Sequence, residues 1–264
     1  MSQRRNGIVE SYYQTERGLS EYLFFHYGAP DSRLPAGVVE SAALEFPARC
    51  VSQCLDSARL PAQARALDVG CAVGRGSFEL ARHCQEVVGV DFSKRFIAVA
   101  NRLRQRGSIW FHSFEEGELT RRRRAGVPPD IDRRRVHFEV GDATRLRSDL
   151  GEFDAVLAAN LIDRLKTPLN LLERLPGLLR PGGQLILASP YTWLACYTPR
   201  ENWLGGWARA GRRVKTFDAL RRILSPHFKL ARRLDLPFLI REHARKYQLG
   251  ISEASLWVRR KTRR

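Results

Sequence analysis

The segment Leu67-Asp68-Val69-Gly70-Cys71-Ala72-Val73-Gly74-Arg75-Gly76 restricts the fold of this chain more than any other. Ala66 to Val69 is an apolar, strand-forming run, and a helical pattern follows from about Gly76 to Cys84. Glycines at such a junction allow a tight turn and let the backbone come close to a ligand. A second strand, Glu86 to Val90, closes on Asp91. Ser93 is then placed to cap a helix to about Gln105, with Phe96, Ile97, Val99, Ala100 and Leu103 on its apolar face. Strand, glycine turn, helix and strand in that order predict a parallel sheet with crossover helices.

The rhythm continues with strands at Val136 to Val140 and Phe153 to Ala159, the latter apolar throughout and so expected to be buried on both faces. A helix over Pro168 to Leu179 stops at Arg180-Pro181-Gly182-Gly183, and a fifth strand follows at Gln184 to Ala188. The C-terminal part offers a helix at Thr216 to Leu224 and strands near Lys229 to Leu236 and Ser255 to Arg260. Gly107 to Arg135 breaks the pattern. It is long and basic and carries Pro128-Pro129, so it reads as an insertion with a short helix at most. Residues 1–60 are rich in aromatics and include an amphipathic stretch, Glu40 to Leu55. They are expected to form a helical cap on a main domain of residues 61–264. The fold class is therefore α/β, a doubly wound, Rossmann-like sheet; that the last two strands bring it to seven, one of them antiparallel, follows from the usual pattern of such folds and not from periodicity.

Composition narrows the function classes. The net charge of +17 invites a polyanionic partner. Nearly all of it is arginine, however, spread over Arg4-Arg5, Arg121 to Arg124, Arg133 to Arg135, Arg212-Arg213, Arg232-Arg233 and Arg259 to Arg264. Solvated faces explain that distribution, and nucleic acid is the less favoured partner. The five cysteines are odd in number and scattered, which suits reduced thiols in a cytoplasm. Cys50 and Cys54 have no second ligand pair, so no metal is expected. The chain has no apolar stretch of about 18 residues, which disfavours a membrane span.

Three acids turn the glycine loop into a cofactor site. Asp68 lies at the strand end, where its carboxylate could meet the amino acid part of a zwitterionic ligand. Asp91 stands about 20 residues on, where an acid hydrogen-bonds ribose hydroxyls; capping the next helix is its other use. Gly141-Asp142-Ala143 follows the third strand, where an acid can accept an adenine amine, or sit in an ordinary loop. No Gly-Lys-Ser/Thr closes the turn, so a P-loop is excluded. These motifs, with the Leu-Arg-Pro-Gly-Gly turn at 179–183, resemble the class I S-adenosylmethionine-dependent methyltransferases from about Ala66 to Tyr191. That resemblance implies S-adenosylmethionine as cofactor, held by Asp68, Gly70, Cys71, Gly74, Arg75, Asp91, Phe92, Gly141, Asp142, Ala143 and Asn160.

A narrower likeness rests on Tyr22–Gly28, Phe46–Cys50, Gly70–Arg75, Ala158–Ile162, Ser189–Leu194, Trp203–Gly206 and Pro237–Tyr247. These stretches resemble the mercaptohistidine N-methyltransferases of ovothiol biosynthesis, from about Tyr12 to Trp257. The resemblance implies methylation of an imidazole nitrogen of 5-mercaptohistidine to give ovothiol A. It also implies a separate iron-dependent sulfoxide synthase as functional partner of a stand-alone monomer or homodimer. Asp163 departs from it, standing where a cysteine is expected.

Ligands of doubly wound sheets lie at the carboxyl ends of the strands, which points to Asn160, Asp163 and Tyr191 beside the transferred methyl. Tyr12, His26, Tyr27, Trp193 and Tyr247 are candidate contacts of the acceptor, although an aromatic cluster also suits a core. Arg241 is a candidate partner for a substrate carboxylate and Glu242 for its amine, with a solvated helix end the plainer reading. Two rival functions stay open. One is an RNA methyltransferase gripping through Trp110, Phe111, Phe114 and the arginines of the insertion. The other is an S-adenosylmethionine-binding protein without catalysis.

Overall fold

A strand sends successive side chains to opposite faces of its sheet, so strands apolar at every position need cover on both sides. A computed structural model describes residues 12–28, 43–209 and 211–261 of the chain. The strands are β1 (Arg65–Val69), β2 (Glu86–Asp91), β3 (Ser108–Glu116), β4 (Leu119–Gly126), β5 (Val136–Val140), β6 (Phe153–Ala159) and β7 (Leu179–Ser189). A short pair, β8 (Trp207–Arg209) and β9 (Arg212–Val214), precedes the long β10 (Phe228–His243) and β11 (Lys246–Arg259). Seven of them form one sheet in the order β10-β11-β7-β6-β1-β2-β5. Only β11 runs antiparallel to its neighbours there.

Alternation divides the core in two. Ala66, Ala155, Leu157, Ile186 and Ala188 face one side. Leu67, Val69, Val156, Ala158, Leu185 and Leu187 face the other. The first side is covered by α1 (Glu16–Tyr27), α2 (Phe46–Ser52), α3 (Arg75–Leu80) and α4 (Lys94–Arg106), through Leu23, Phe46, Phe78 and Phe96 among others. The second is covered by α5 (Pro168–Leu178) and α6 (Thr216–Leu224) through Leu171, Leu175, Leu220 and Leu224. Helix α4 matches its expected face. Ser93 Oγ accepts the Phe96 N–H at 3.2 Å, and Gly107 ends the helix in the left-handed region at φ 77°.

Several elements differ from expectation. The helix after β1 begins at Arg75 and ends at Leu80, shorter than predicted. The Glu40 to Leu55 pattern yields only α2 among the described residues; 40–42 lie outside them, as do Arg4-Arg5 and Arg263-Arg264. Pro237 to Tyr247 is the tip of the β10–β11 hairpin rather than a helix end. The insertion Gly107 to Arg135 is a second antiparallel hairpin, β3–β4, rather than a loop, with its short helical turn at Arg133–Arg135. Its charge concealed a period of two. Ile109, Phe111, Ser113 and Ala125 turn inward, while Trp110, Arg122 and Arg124 turn out.

The inward arginine Arg123 donates to Ser113 Oγ at 2.7 Å and pairs with Glu115. From β10, Arg241 donates to the Phe114 carbonyl and to Glu115 Oε1, both at 2.9 Å, with its guanidinium 5.1 Å from the Phe24 ring centre. Arg241 thus clasps the hairpin to the sheet and to α1. Among the described residues, no helix is long and apolar enough to cross a membrane.

Arg241 is 4% exposed and Glu115 keeps a second partner in Arg123. Arg241→Met should therefore cost about 2 kcal/mol, the range for hydrogen bonds to a charged group. Urea unfolding checks this, and an unchanged midpoint would show that the hairpin docks without the clasp.

Candidate functional site

The strand order reverses between β1 and β6, and the carboxyl ends of those strands open a crevice. After Val69 the chain passes through Gly70 at φ 75°, Ala72 at φ 46° and Gly74 at φ 89° before α3 begins. Left-handed backbone of this kind suits glycine. A Cβ at Gly70 would lie 2.8 Å from Leu161 Cδ1, and one at Gly74 2.5 Å from Phe138 Cζ. Both glycines therefore let neighbouring elements close on the loop. The loop is tied down by Asp91, whose Oδ2 accepts the Ala72 N–H at 3.0 Å and whose Oδ1 accepts the Ser93 N–H at 2.8 Å. Asp68 accepts from Ser77 Oγ at 2.7 Å.

The crevice leads into a cavity of about 460 Å³ with two unlike walls. One wall carries Asp68, Gly70, Cys71 and Asp91, continued by Phe92 and by Gly141, Asp142 and Ala143 after β5. Asp142 accepts from the Thr144 N–H and Oγ1, both at 2.8 Å. The rest of the lining is aromatic and basic: Tyr13, Tyr22 and His26 from the N-terminal segment, with Tyr13 edge-on to Phe92 at 5.6 Å, Arg164 and Tyr197 from the loops, and Phe238 from β10. Asn160 also lines the cavity, at φ 51°, its Oδ1 accepting from Ser252 Oγ of β11 at 2.6 Å.

Burial sets the charge states. Asp68 is pushed up to about 7 and Asp91 to about 6, in each case mainly by desolvation of the carboxylate. His26 is pushed down to about 3 by burial and then by the Arg75 charge, so its ring stays neutral. Its Nδ1 accepts the Arg75 N–H at 3.4 Å.

The remaining predicted site residues do not line the cavity. Arg75 is buried in ion pairs with Glu79 at 2.6 Å and Glu45 at 3.8 Å. Asp163 is fully buried and accepts the Thr192 N–H and Arg164 Nη1, each at 2.9 Å. Tyr191, at φ 53°, gives its hydroxyl to Glu253 at 2.8 Å. Trp193 donates to Thr216 Oγ1 at 2.8 Å, and Tyr27 to the Val73 carbonyl at 2.9 Å. Tyr12 bonds Glu21, Glu242 takes Lys246 and Gln248, and Tyr247 reaches the Ala244 carbonyl. Arg241 is the hairpin clasp, so its guanidinium is already engaged.

Arg164, Tyr13, Tyr22, Tyr197 and Phe238 line the cavity without having been singled out in sequence. Tyr22 and Phe238 lie inside stretches that carried the narrower resemblance. Arg164 is one of 45 basic residues, and nothing in the sequence distinguishes it.

The raised pKa of Asp68 fixes a sign. The folded chain holds that proton more tightly than the unfolded one, so stability is greatest near pH 4 and falls as pH rises to about 7. Asp68→Asn removes this loss. Its stability relative to the parent should grow by up to about 1.4 kcal/mol per pH unit between pH 4 and 7. Urea unfolding at pH 4.5 and 7 measures it, and a constant difference would mean that Asp68 titrates normally.

Known proteins connect this geometry to a chemistry. Residues 67–187 match the family described as a methyltransferase domain. A ubiquinone biosynthesis O-methyltransferase of Xanthomonas axonopodis pv. citri is 30% identical over 135 residues, 50% of this chain and 46% of that protein. The match thus spans about half the length of that relative. Its counterpart in Pseudomonas aeruginosa PAO1 is 24% identical over 67% of this chain and 76% of that protein. Among solved structures, magnesium protoporphyrin IX methyltransferase from Synechocystis PCC 6803 superposes with a TM-score of 0.55 at 19% identity, covering 97% of this chain and 99% of that one. N-methyltransferase NodS from Bradyrhizobium japonicum WM9 gives 0.54 at 16% identity, covering 92% and 99%. Both of those structures hold S-adenosylhomocysteine, and at such identities the likeness is one of fold. Residues 67–187, running from β1 to β7 and including the glycine loop, thus match a methyltransferase domain, and the sheet order is that of the fold these two methyltransferase structures share.

Proposed function

We propose that the protein transfers a methyl group from S-adenosylmethionine to an imidazole nitrogen of 5-mercaptohistidine, giving ovothiol A. The observation that carries this reading is the contrast within the cavity lining. Among the described residues, the carboxylates lining the cavity, Asp68, Asp91 and Asp142, all stand at or just beyond the ends of β1, β2 and β5, and the histidine in the remaining lining has its pKa pushed down to about 3, too low to take a proton. An acceptor bound there must arrive already nucleophilic. A neutral imidazole with an in-plane lone pair meets that condition, and an aliphatic hydroxyl does not.

The loop wall fits the cofactor. Two buried carboxylates with raised pKa values are poised for an ammonium and for ribose hydroxyls, and each Asp91 oxygen keeps a lone pair beyond its backbone bond. Asp142 and Phe92 are the candidates for the adenine end. When bound, S-adenosylmethionine supplies an electrophilic methyl on a sulfonium. The chain's own work is to orient the acceptor and keep water out. Asn160 lines the cavity with its Oδ1 accepting from Ser252 Oγ, and its Nδ2 is a donor for the acceptor. Asp163 and Tyr191 contribute by position, holding the loop that brings Pro190 and Thr192 to the cavity. In this reading the N-terminal segment is the lid of the acceptor side. The acceptor comes from an enzyme that adds sulfur to histidine, a separate iron-dependent sulfoxide synthase by the resemblance. The compartment is the cytoplasm, in keeping with five unpaired cysteines.

A phenol is the second acceptor class, favoured because the relatives named above are O-methyltransferases.

Incubation with S-adenosylmethionine and 5-mercaptohistidine, beside histidine, catechols and RNA, should give a thiol-histidine product one methyl heavier by mass spectrometry. Methylated catechol alone would move the assignment to the second class, and no methylated product from mercaptohistidine would end the first. Asn160→Ala and Asn160→Gly should each lower kcat/KM about 30-fold, roughly 2 kcal/mol of transition-state binding. Glycine tolerates the left-handed backbone there, so a fully active Asn160→Gly would reduce Asn160 to a conformational role.

A further inference from the structure

The cavity holds a guanidinium that neither the cofactor nor the methyl transfer uses. Arg164 lies four residues beyond Asn160, in the loop after β6, with its side chain 26% exposed on the acceptor wall. All its hydrogen bonds fall on one nitrogen. Nη1 donates to the Asp163 carbonyl at 3.0 Å, to Asp163 Oδ2 at 2.9 Å and to the Thr192 carbonyl at 2.9 Å. Nε and Nη2 have no protein partner among the described residues. The group is also held over the Tyr197 ring, 4.8 Å from its centre. Three bonds on Nη1 and a ring beneath fix the plane of the fork, and the free Nε–Nη2 edge is the one that receives the two oxygens of a carboxylate.

We propose that Arg164 is the carboxylate anchor of the acceptor subsite, so that the protein selects planar-ring substrates bearing a carboxylate. This rests on reading the aromatic wall as the acceptor side. The surrounding rings suit such a ligand. Tyr13 and Tyr22 line the same cavity, Tyr13 lies 6.4 Å from Tyr197, and the rings of Tyr13 and Tyr22 are 5.7 Å apart edge to face. They offer flat apolar contact to a ring while Arg164 takes the charge. Asp163 neutralises part of the guanidinium from the Nη1 side, so the open edge binds a monoanion without leaving an unpaired cation when empty. The buried arginines have no such edge to give: Arg241 spends its donors on Phe114 and Glu115, and Arg75 pairs with Glu79 and Glu45.

The test uses the full chain saturated with S-adenosylhomocysteine, titrated calorimetrically with imidazole-4-propionate and with 4-hydroxybenzoate, each beside its carboxamide. Wild type is expected to bind at least one acid tenfold or more tightly than its amide. Arg164→Gln should abolish that preference, and Arg164→Lys, which keeps the charge but loses the fork, should leave it well under half as large. Unchanged affinity of both variants for S-adenosylhomocysteine shows that they are folded. If Arg164→Gln fails that control, wild type and Arg164→Lys decide. Equal binding of acid and amide by wild type, or a preference that survives either substitution intact, overturns the anchor. Methylation of mercaptohistidine separates this from the broader reading. An acid preference lost in Arg164→Gln without any mercaptohistidine turnover retains the anchor and discards that acceptor. Turnover with an unchanged KM in Arg164→Gln does the reverse.

Discussion

The carboxylate of Asp91 joins the parts on which the site depends. One oxygen holds the Ala72 N–H in the loop after β1, the other the Ser93 N–H at the start of α4. Two segments that emerge from adjacent parallel strands are thereby held at one point. The loop could not keep Gly70, Ala72 and Gly74 in left-handed backbone on local preference alone, because a non-glycine residue such as Ala72 is strained there. The cost is met by Asp91 and by the Gly70 and Cys71 N–H bonds to the Val90 carbonyl, at 2.7 and 3.1 Å. Cofactor wall and sheet edge are in this sense one hydrogen-bonded unit.

That arrangement leaves charge in a dry place. Asp68 and Asp91 are buried beside a cavity, and desolvation raises both towards neutrality. A ligand with an ammonium and ribose hydroxyls would meet carboxylates that lack sufficient partners. The same burial makes His26 neutral elsewhere in the cavity lining. Desolvation therefore acts in both directions within the cavity, keeping proton affinity on the cofactor side and withholding a base from the acceptor side.

The arginines illustrate how little composition says about use. Arg123 and Arg241 are tied to Glu115 inside the hairpin contact, Arg75 to Glu79 under the glycine loop, and Arg180 to Asp154 at 2.8 Å at the far end of the sheet. Arg122 lies over Trp110 on the outer face of the hairpin, 4.3 Å from the ring centre. These arginines are thus engaged by the fold, while the excess of 17 positive charges is carried by others. Arg164 differs in lining the cavity with Nε and Nη2 unbonded among the described residues.

Local sequence was enough for the parallel core. The strands β1, β2, β5 and β6 and the helix α4 follow from apolar runs, the Ser93 cap and the glycine turn, since those signals act within a few residues. That Asp68, Gly70, Asp91 and Asp142 share one cavity lining was legible for the same reason: each sits where a strand ends. The β3–β4 hairpin was hidden because arginine side chains mask alternation, and the inward set becomes stable only when Arg241, 126 residues beyond Glu115, reaches it. The acceptor wall was hidden more deeply. Tyr13, Tyr22, Arg164, Tyr197 and Phe238 come from separate segments and meet only once α1 and β10 have packed on the sheet. Sequence alone determined the glycine loop and the acids at the strand ends, a property of short stretches of backbone. The tertiary structure decided which arginine keeps a free edge, because that depends on which carboxylates and carbonyls the fold happens to bring to each guanidinium.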